Sequence, residues 1–536
     1  MDTLIIGIDG GEWDVIDPML ESQELPNLSS LIQSGYRAPL SSTVPPVSPP
    51  AWTSIQTGTN PGKHGIYDFS TFDRDYRRRS INASDRRATP FWQVLNDMGV
   101  STGLFKVPFT YPPGDIDGFM VSGFPTPNNI SDFAIPEGAA NIVGSPERLF
   151  EDSSYQRNGD YDAFMSDLLD VADRQTSILL NLLDEYDTDL VMTVFDSADR
   201  MQHFFWKYFD EAHPRYEPDE ALSDAIPELY RVIDDGIGKL LNRAGPETNV
   251  IVLSDHGFGP LAYDIHIDEW LQANEYFSPQ STRSPREVIS MASSRMVGLS
   301  WELIKSLGLD DLVKEIILPE TVLSAGKSLK NAPQNRKSAD WKNTKAFFTT
   351  LSGQSIYINL IDRFSDGIVS DEEYQQVVDD LRSELLELRH PETGEKLIRA
   401  VYDSRREFDG WAVEDAPDLI VESDPLYTLK DGHSDSLIQP SKQYKQERSG
   451  DHRTDGILIA SGPAFGEGKL ADAHIMDIAP TLHYLHDCPI PKVMDGDVLS
   501  SVFADEIIHS REMQFTGGYG EMERNSRNGL RRKNKS

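Results

Sequence analysis

The sequence is poor in cysteine and lacks any long hydrophobic stretch. Cys488 is the only cysteine among its 536 residues, which excludes an internal disulfide framework and a metal cluster held by several thiolates. A helix that crosses a membrane needs about 18 or more consecutive apolar residues, and no such run occurs in the sequence. No signal-peptide pattern precedes the first predicted strand, so we expect a cytoplasmic protein without a transmembrane segment.

Basic residues are few compared with acidic ones. The sequence holds 50 lysines and arginines against 87 aspartates and glutamates, a formal net charge of −37. Nucleic-acid polymers and anionic membranes attract proteins with broad basic surfaces, so we expect neither as a general partner. The acidic composition is typical of a high-salt cytoplasm, where ions screen self-repulsion, and the alternative is an ordinary acidic protein.

Three apolar, β-rich segments end in acidic residues or histidine, namely TLIIGIDGG, DLVMTVFDSADRMQH and TNVIVLSDHGFG. Continuous apolar runs of this kind predict central strands of a parallel sheet covered by helices on both faces. Ligands of open α/β sheets bind beyond the carboxyl ends of the strands. The three segment ends are therefore predicted to meet in one crevice.

Helical patterns lie between these strand segments, at 174–186 and 228–245. Two later apolar runs, at 417–423 and 456–463, predict further strands of the core sheet. The fold class that follows is α/β, with a largely parallel sheet between layers of helices.

The chain is too long for one simple core, which predicts several domains or one large domain with insertions. Residues 278–345 are polar and contain a short helical pattern at 301–318, whereas 372–390 has a clear amphipathic helical pattern. We expect an inserted lid or side domain there, and a solvated C-terminal tail that is disordered at its end. The predicted division is a first core part at 1–269, the insertion at 270–416, a second core part at 417–504 and the tail at 505–536.

The stretch VPPVSPPAWTS, residues 44–54, places one serine between two pairs of prolines. Proline fixes the backbone and is tolerated in the first turn of a helix, and serine is a favoured cap just before it. Ser48 is therefore predicted to cap a helix that runs through Ala51–Ile55. The alternative is a nucleophile held at a helix N-terminus, where anions are attracted, although Pro49 and Pro50 lack the N–H groups that would bind an anion.

Four separate segments offer groups that bind metal ions. DRMQH spaces Asp199 and His203 four residues apart, on one face of a helix, and SDHGF places Asp255 beside His256. Asp9 follows the first strand, and His452 lies in GDHRTD just before a predicted strand. Each residue alone has a common structural explanation, such as a helix cap or a surface pair. Together, carboxylates and neutral imidazoles in one crevice predict a zinc or manganese site.

The sequence resembles the alkaline phosphatase superfamily, in particular its type I phosphodiesterase/nucleotide pyrophosphatase branch in the microbial form. The residues that carry the resemblance occur in the family's order from residue 4 to about residue 500. They are GIDGGEWD, STVPPVSPPAWTSIQTGTNPGKHGIYDF, VPFTYPP, FDSADRMQHFFW, LSDHGFG, GDHRTDGILIASGP and DIAPTLHYL. The resemblance implies an alkaline-phosphatase-like three-layer α/β/α core with an inserted lid.

The resemblance also implies two divalent metal ions, zinc or manganese, that act on a small phosphate-ester substrate. One metal is expected on Asp199, His203 and His452. The other is expected on Asp9, Asp255 and His256, with the Ser48 oxygen completing it. The implied reaction is hydrolysis of a phosphate diester or phosphoanhydride through a phosphorylated Ser48, at a position where the family often has threonine.

The residues that would choose the substrate depart from the resemblance. Nucleotide pyrophosphatases carry an asparagine shortly after HGI that contacts the phosphoryl oxygen, whereas HGIYDF places Phe69 there. By its position Phe69 is a candidate substrate contact, and nucleotide specificity does not carry over. Lys106 in GLFKVPFTYPP is a candidate phosphate contact, with a structural lysine as the alternative. His64 in PGKHGI is predicted to be a turn histidine bonded to the backbone.

Three other functions are the alternatives to phosphodiester hydrolysis. A phosphomonoesterase or phosphomutase would use the same fold, and a mutase could employ the insertion to reorient its substrate. A sulfatase needs the pattern C/S-x-P-x-R, but no arginine follows Ser48 at that spacing. A non-catalytic binding protein of the same fold predicts a lost metal ligand, and all seven candidates are present.

Overall fold

The computed structural model describes residues 1–128, 130–280, 339–349, 354–432, 434–443, 446–470 and 472–517. The helical pattern expected at 301–318, most of the polar stretch at 278–345, and the end of the C-terminal tail lie outside the described residues.

Within the described residues, a central sheet of nine strands organises the fold. The strands are β1 Thr3–Ile8, β2 Gly35–Ser41, β3 Thr102–Val107, β4 Gly118–Ser122, β5 Ala134–Ile135, β6 Leu190–Phe195, β7 Asn249–Leu253, β8 Asp455–Ser461 and β9 Gly468–Lys469. Their spatial order is β9-β2-β8-β7-β1-β6-β3-β4-β5, and only β5 and β8 run antiparallel to their neighbours.

The three segments with acidic ends form adjacent strands at the centre of this sheet. β1 pairs in parallel with β6 on one side and β7 on the other, with Ile8 opposite Phe195 and Gly7 opposite Leu253. β1 and β6 are buried along their whole length, as their continuous apolar sequences require. The carboxyl ends of all three strands therefore meet at one edge, which confirms the predicted α/β class and its largely parallel sheet.

Helices cover both faces of the sheet because neighbouring side chains of a strand point to opposite faces. Leu4 and Ile6 belong to one buried cluster and Ile5 to the other. The first cluster includes residues of Trp13–Glu21, Pro26–Gln33, Glu137–Val143, Tyr161–Glu185, Ser197–Phe209 and Ala225–Ala244. The second includes residues of Ser48–Thr57, Phe91–Asp97 and Ile478–Leu485.

A second, smaller layer is built on an antiparallel sheet of four strands. Their spatial order is Ala346–Thr349, Ser355–Ile358, Leu419–Ser423 and Ile398–Asp403. The helix Asp371–Leu386, which the amphipathic pattern predicts, belongs to the same buried cluster through Tyr374, Val378, Leu381 and Leu385. A capping box between Ser370 and Glu373 starts this helix.

The prediction that 417–423 forms a strand of the core sheet was wrong in one respect. Leu419–Ser423 is a strand, but it lies in the four-stranded sheet and not in the central one. Its apolar run is short, and Leu419 and Val421 are buried in the same cluster as the helix Asp371–Leu386. Local sequence cannot tell one buried sheet from another. The other predicted strand, at 456–463, is β8 of the central sheet. The division of the chain into domains stays a prediction.

Several short elements connect these layers. In the described residues, the other α-helices are Pro61–His64, Ser153–Asn158, Ile267–Ala273, Ser404–Glu407 and Asp505–Ser510. The other strand pairings there are Ser70–Phe72 with Arg78–Ser80, Gly257–Pro260 with Gly450–Arg453, Tyr263–His266 with Tyr427–Lys430 and Ile438–Pro440, Lys442–Gln443 with Gln446–Glu447, and Ile490–Pro491 with Phe515–Thr516.

Candidate metal centre

Ser48 is the first residue of a buried helix that begins after β2. The helix spans Ser48–Thr57, and Val47 rather than Ser48 occupies the capping position, without a side-chain hydrogen bond to the helix. The predicted cap was therefore one residue too late in the chain, because the two prolines fit the second and third helical positions as well as the first. Ser48 keeps its hydroxyl available, since the helix does not need it as a cap.

The helix lies against β1 because Gly7 leaves room for Trp52. A Cβ atom on Gly7 would come within 2.6 Å of the Trp52 ring, which no larger residue could tolerate without a shift. The Trp52 indole N–H donates to Asp9 Oδ2 over 2.9 Å. The serine helix and the end of β1 are thus fixed to each other by one packed ring and one hydrogen bond.

Asp9, Asp255 and His256 form a buried group at the ends of β1 and β7. Nε2 of His256 lies 3.6 Å from Asp9 Oδ1 and 3.3 Å from Asp255 Oδ2. The hydroxyl oxygen of Ser48 lies 3.4 Å from the same nitrogen. The backbone N–H of Gly10 donates to Asp255 Oδ1 over 3.2 Å, which orients that carboxylate toward the group.

The buried group has the donor atoms of a cation site. Nδ1 of His256 faces the carbonyl oxygen of Gly257 at 3.0 Å; a carbonyl only accepts, so Nδ1 carries the proton and Nε2 presents a lone pair. Asp9 Oδ1 and Asp255 Oδ2 are buried without a hydrogen-bond partner. Two carboxylate oxygens without a hydrogen-bond partner thus converge on the Nε2 lone pair, an arrangement that is costly on its own and that a divalent cation satisfies.

Asp199, His203 and His452 form an outer group next to the buried one. Asp199 and His203 lie on one face of the helix Ser197–Phe209, with His203 Nε2 3.2 Å from Asp199 Oδ1. His452 lies on the strand Gly450–Arg453, with Nε2 3.1 Å from Asp199 Oδ1 and 3.2 Å from His203 Nε2. The ring of His452 stacks on that of His256 with centroids 3.9 Å apart, so the two groups are in direct contact.

The strand that carries His452 approaches the helix closely because residue 450 is glycine. A Cβ atom there would come within 2.4 Å of the Gln202 carbonyl oxygen. The Gly450 carbonyl oxygen lies 2.8 Å from His203 Nδ1, and the Arg448 Nε–H lies 3.2 Å from the same nitrogen, so the ring is held with Nε2 facing Asp199 and His452. The side chains of Asp199, His203 and His452 are 15%, 10% and 11% exposed, so solvent reaches the outer group.

Burial and mutual charge perturb the acidity of these groups in opposite directions. Burial, with a contribution from Asp255, raises the pKa of Asp9 well above its ordinary value, and burial raises that of Asp255 to about 7. Burial acts the same way on Asp199, but His203 and His452 outweigh it and hold its pKa well below the ordinary value. The ionised forms of the buried carboxylates therefore need a compensating positive charge, whereas the two imidazoles already favour the ionised form of the outer carboxylate.

All seven residues predicted for the metal site lie in these two groups or against them. The ligand atoms of each group of three are within 4.8 Å of one another, and Ser48 contacts the buried group. The grouping matches the expected division into two sets, and the binding of metal by them stays a prediction.

Sequence reasoning missed the pair of Arg448 and Asp451, which supports the outer group. The Arg448 guanidinium lies 2.6 Å from Asp451 Oδ1, and this oxygen also accepts from the backbone N–H of His452 over 2.9 Å. Burial opposes ionisation of Asp451, but Arg448 and the neighbouring histidines hold its pKa far below the ordinary value. The only signal was the closeness of these charged residues to His452 in RSGDHR, which does not distinguish a support from a surface pair.

Lys106 lies beside the metal centre, but its charge is engaged. Its side chain is fully buried, and Nζ lies 2.7 Å from Asp196 Oδ1, at the start of the helix that carries Asp199. The register of β3 against β4 shifts around Lys106, whose φ of 58° is in the left-handed region, so a β-bulge turns this side chain toward Asp196. A contact between Lys106 and a substrate phosphate stays a prediction.

Phe69 and His64 have different surroundings. Phe69 packs against Phe109 and Phe124, with ring centroids 5.8 Å away in both cases, and its contact with substrate stays a prediction.

His64 is fully buried; its Nδ1 accepts from the backbone N–H of Ile66 over 3.1 Å and its Nε2 lies 3.0 Å from the Ser54 hydroxyl. His64 is therefore bonded to the backbone of its own turn, as predicted.

A match to a known family covers most of the chain. The family described as type I phosphodiesterase / nucleotide pyrophosphatase matches residues 3–455. The chain belongs to this family. The predicted membership is thereby confirmed, and the protein is a phosphoester hydrolase of the phosphodiesterase/pyrophosphatase type.

A comparison with solved structures finds matches to proteins from mouse, human and a bacterium. Murine ectonucleotide pyrophosphatase/phosphodiesterase 5, an inactive form in complex with AMP, is 14% identical with a TM-score of 0.49, covering 94% of this chain and 100% of its own. Human ectonucleotide pyrophosphatase/phosphodiesterase 5 is 13% identical with a TM-score of 0.46, at the same coverages. Phosphonoacetate hydrolase from Sinorhizobium meliloti 1021, in complex with phosphonoformate, is 12% identical with a TM-score of 0.49, covering 89% of this chain and 94% of its own. None of the curated proteins matches the chain.

In the part of the chain that the structure describes, every helix is too short or too polar to cross a bilayer.

Proposed function

We propose that this family member hydrolyses a phosphate diester or phosphoanhydride with two divalent cations, through a phosphorylated Ser48. One observation carries the proposal: two sets of lone-pair donors lie in direct contact, each with ligand atoms within 4.8 Å of one another. A single set could be a buried polar network. Two adjoining sets beside a serine hydroxyl favour a site for two cations at a phosphoryl group.

The chain offers each cation its own ligands. Asp199, His203 and His452 would hold one. Asp9, Asp255 and His256 would hold the other, together with the Ser48 oxygen. Zinc suits this mixture of carboxylate and imidazole, with manganese as the alternative. When bound, the cations supply the positive charge that favours a serine alkoxide and stabilises phosphoryl oxygens, which Pro49 and Pro50 cannot do because they lack N–H groups.

Ser48 is the residue that changes its covalent state. Its hydroxyl gives up a proton to solvent as the bond between Oγ and phosphorus forms, and the bond from phosphorus to the leaving oxygen breaks. The leaving oxygen takes up a proton. Water then attacks phosphorus, the Oγ–phosphorus bond breaks, and the serine hydroxyl is restored, so the net change is the addition of one water.

The charges around the centre favour a diester over a monoester. A monoester carries an additional negative charge, which a further free cation would have to balance. Lys106 is engaged by Asp196 at 2.7 Å, and Arg200 by Glu151 at 2.9 Å, so these two neighbours of the outer group are already neutralised. A phosphomonoesterase or phosphomutase is the alternative, and a non-catalytic protein of this fold is the remote one.

The test compares bis-p-nitrophenyl phosphate with p-nitrophenyl phosphate on zinc-loaded protein, before and after chelation. We expect hydrolysis of the diester to be preferred and to stop on chelation. Ser48→Ala should abolish it, whereas Ser48→Thr, which keeps a hydroxyl, should retain activity. Turnover by the chelated protein or by Ser48→Ala at the wild-type rate would contradict the mechanism, and preference for the monoester would favour the alternative.

A further inference from the structure

Gln202 lies between two candidate ligands of the outer group, Asp199 and His203, on the helix Ser197–Phe209. It is fully buried, and its Nε2 donates to the carbonyl oxygen of Gly10 over 2.9 Å. The carbonyl oxygen can only accept, so the amide must turn its nitrogen toward Gly10. The helix of the outer group is thereby bonded to the segment that follows β1.

Gly10 belongs to the turn that follows Asp9, a candidate ligand of the buried group. The backbone N–H of Gly11 closes this turn by donating to the Ile8 carbonyl oxygen over 2.9 Å. The N–H of Gly10 donates to Asp255 Oδ1 over 3.2 Å. Gly10 thus accepts from the helix of the outer group and donates to a carboxylate of the buried group.

The oxygen of the Gln202 amide is held as well. The Tyr230 hydroxyl donates to Gln202 Oε1 over 3.3 Å and accepts from the backbone N–H of Glu12 over 3.3 Å. Tyr230 is fully buried on the helix Ala225–Ala244. Because both ends of the amide have partners, this buried polar network fixes the position of Gln202.

The Asp255 carboxylate divides its two oxygens between the turn and the buried group. Oδ1 accepts from Gly10, whereas Oδ2 is buried without a hydrogen-bond partner among the described residues. Oδ2 lies 3.3 Å from Nε2 of His256. A rotation of the carboxylate would carry Oδ2 away from this nitrogen, so the contact that fixes Gly10 also fixes the oxygen offered to a cation.

We propose that Gln202 is a positioning residue that couples the two ligand groups. From the helix of the outer group it holds the Gly10 turn, and through this turn it holds Asp255 in the orientation that binds a cation. The inference rests on the proposed function, because it assumes that the buried group binds a divalent cation. A role confined to its own helix would instead affect the outer group, since Asp199 and His203 lie on that helix.

The test is a zinc titration by calorimetry in variants that each retain one complete ligand group. His452→Ala retains the buried group, and Asp255→Asn retains the outer group. Gln202→Met keeps the length of the side chain and removes its amide. Added to His452→Ala, it should weaken zinc binding by about 10- to 100-fold. Added to Asp255→Asn, it should leave zinc binding nearly unchanged.

Two further variants separate positioning from packing. Tyr230→Phe removes the contact on Gln202 Oε1 but keeps the donation to Gly10, so in His452→Ala it should weaken zinc binding less than Gln202→Met does. Met201→Ala is the matched control, since Met201 is fully buried in an apolar cluster on the same helix. Its zinc affinity in each background should equal that of the parent variant.

The outcomes distinguish this inference from the proposed function. If Gln202→Met weakens zinc binding equally in both backgrounds, mainly in Asp255→Asn, or in neither, the coupling is overturned. It is also overturned if Met201→Ala reproduces the effect in His452→Ala. If the wild-type protein and both parent variants bind no zinc, the proposed function itself fails, and the coupling with it.

Discussion

The buried group and the outer group of candidate ligands touch each other but are built differently. Asp9, Asp255 and His256 follow the ends of two parallel strands, and their side chains are at most 5% exposed. The outer group comes from a helix and an antiparallel strand, and its members hydrogen-bond one another. The buried group has unsatisfied oxygens and the outer group does not, so the two should depend on cations to different degrees.

One site thus combines ligands that are fixed by the central sheet with ligands that are oriented by neighbouring polar groups. The sheet holds the buried group rigidly, at the cost of carboxylate oxygens without partners. The outer group is oriented by contacts outside it, from Gly450 to His203 and from Asp451 to the backbone of His452. Variants of the two groups should therefore differ in catalysis, in metal affinity and in stability.

Loss of one ligand from either group should reduce catalysis strongly. A bound cation contributes several kcal/mol to the stabilisation of the transition state, so Asp255→Asn and Asp199→Asn should each lower kcat/KM for the diester by about a thousandfold or more. Asp455→Asn is the control, since its exposed carboxylate bonds only the Ser41 hydroxyl. A variant of one group that keeps near wild-type activity would show that only the other group serves the reaction.

Removal of the support behind His452 should weaken one cation selectively. In Asp451→Ala the oxygen that accepts from Arg448 and from the backbone N–H of His452 is removed, and such supports contribute about 10- to 100-fold in metal affinity. We expect a zinc titration to show that one of two binding steps is weakened by this factor. If both zinc-binding steps are weakened equally, or if neither is weakened, the two groups are not supported separately.

In the absence of cations, neutralising a carboxylate of the buried group should stabilise the protein, whereas neutralising the carboxylate of the outer group should destabilise it. In Asp255→Asn the new amide can donate to His256 Nε2, which removes a buried unpaired charge. Asp199→Asn instead removes the charge that His203 and His452 face. Thermal unfolding in chelator should therefore give a higher Tm for Asp255→Asn and a lower one for Asp199→Asn than for wild type. The same direction of change in both would break the contrast.

His64, which lies outside the metal centre, should make the stability of the protein depend on pH in acid. Burial, with a smaller contribution from Arg86, lowers the pKa of His64 to about 3, against about 6.5 in the unfolded chain. Below pH 6.5 the unfolded state binds a proton that the native state refuses, so stability is full above that pH and is lost as pH falls toward 3.

His64→Gln is the variant that tests this, because glutamine can accept from Ile66 and donate to Ser54. The slope of the free energy of unfolding against pH between 6 and 4 should fall by about 1.4 kcal/mol per pH unit, measured by denaturant titration in chelator. An unchanged slope would assign the acid lability to other groups, those of the metal centre among them.

Much of the fold and the centre could be predicted from local patterns. β1, β6 and β7 are continuous apolar runs, and the parallel pairing that follows brings Asp9, Asp199 and Asp255 to one edge. The spacing of Asp199 and His203 was sufficient to place both on one helical face. These features depend on residues near each other in the chain, where periodicity is informative.

Other features depend on contacts that no local pattern records. Leu419–Ser423 joined the smaller sheet, and Val47 took the capping position expected for Ser48. The engagement of Lys106 depends on a bulge in β3 and on Asp196, which is 90 residues away in the chain.

The sequence by itself determined the chemistry that is available: a serine held between prolines, carboxylates and imidazoles after buried strands, and a phenylalanine where the family has an asparagine. Only the tertiary structure decided how these groups are divided, which carboxylate oxygens lack hydrogen-bond partners, and which lysine and arginine side chains are already paired with carboxylates. The physical reason is that hydrogen bonding, desolvation and ion pairing act over a few ångströms in space, and residues distant in the chain supply most of the neighbours.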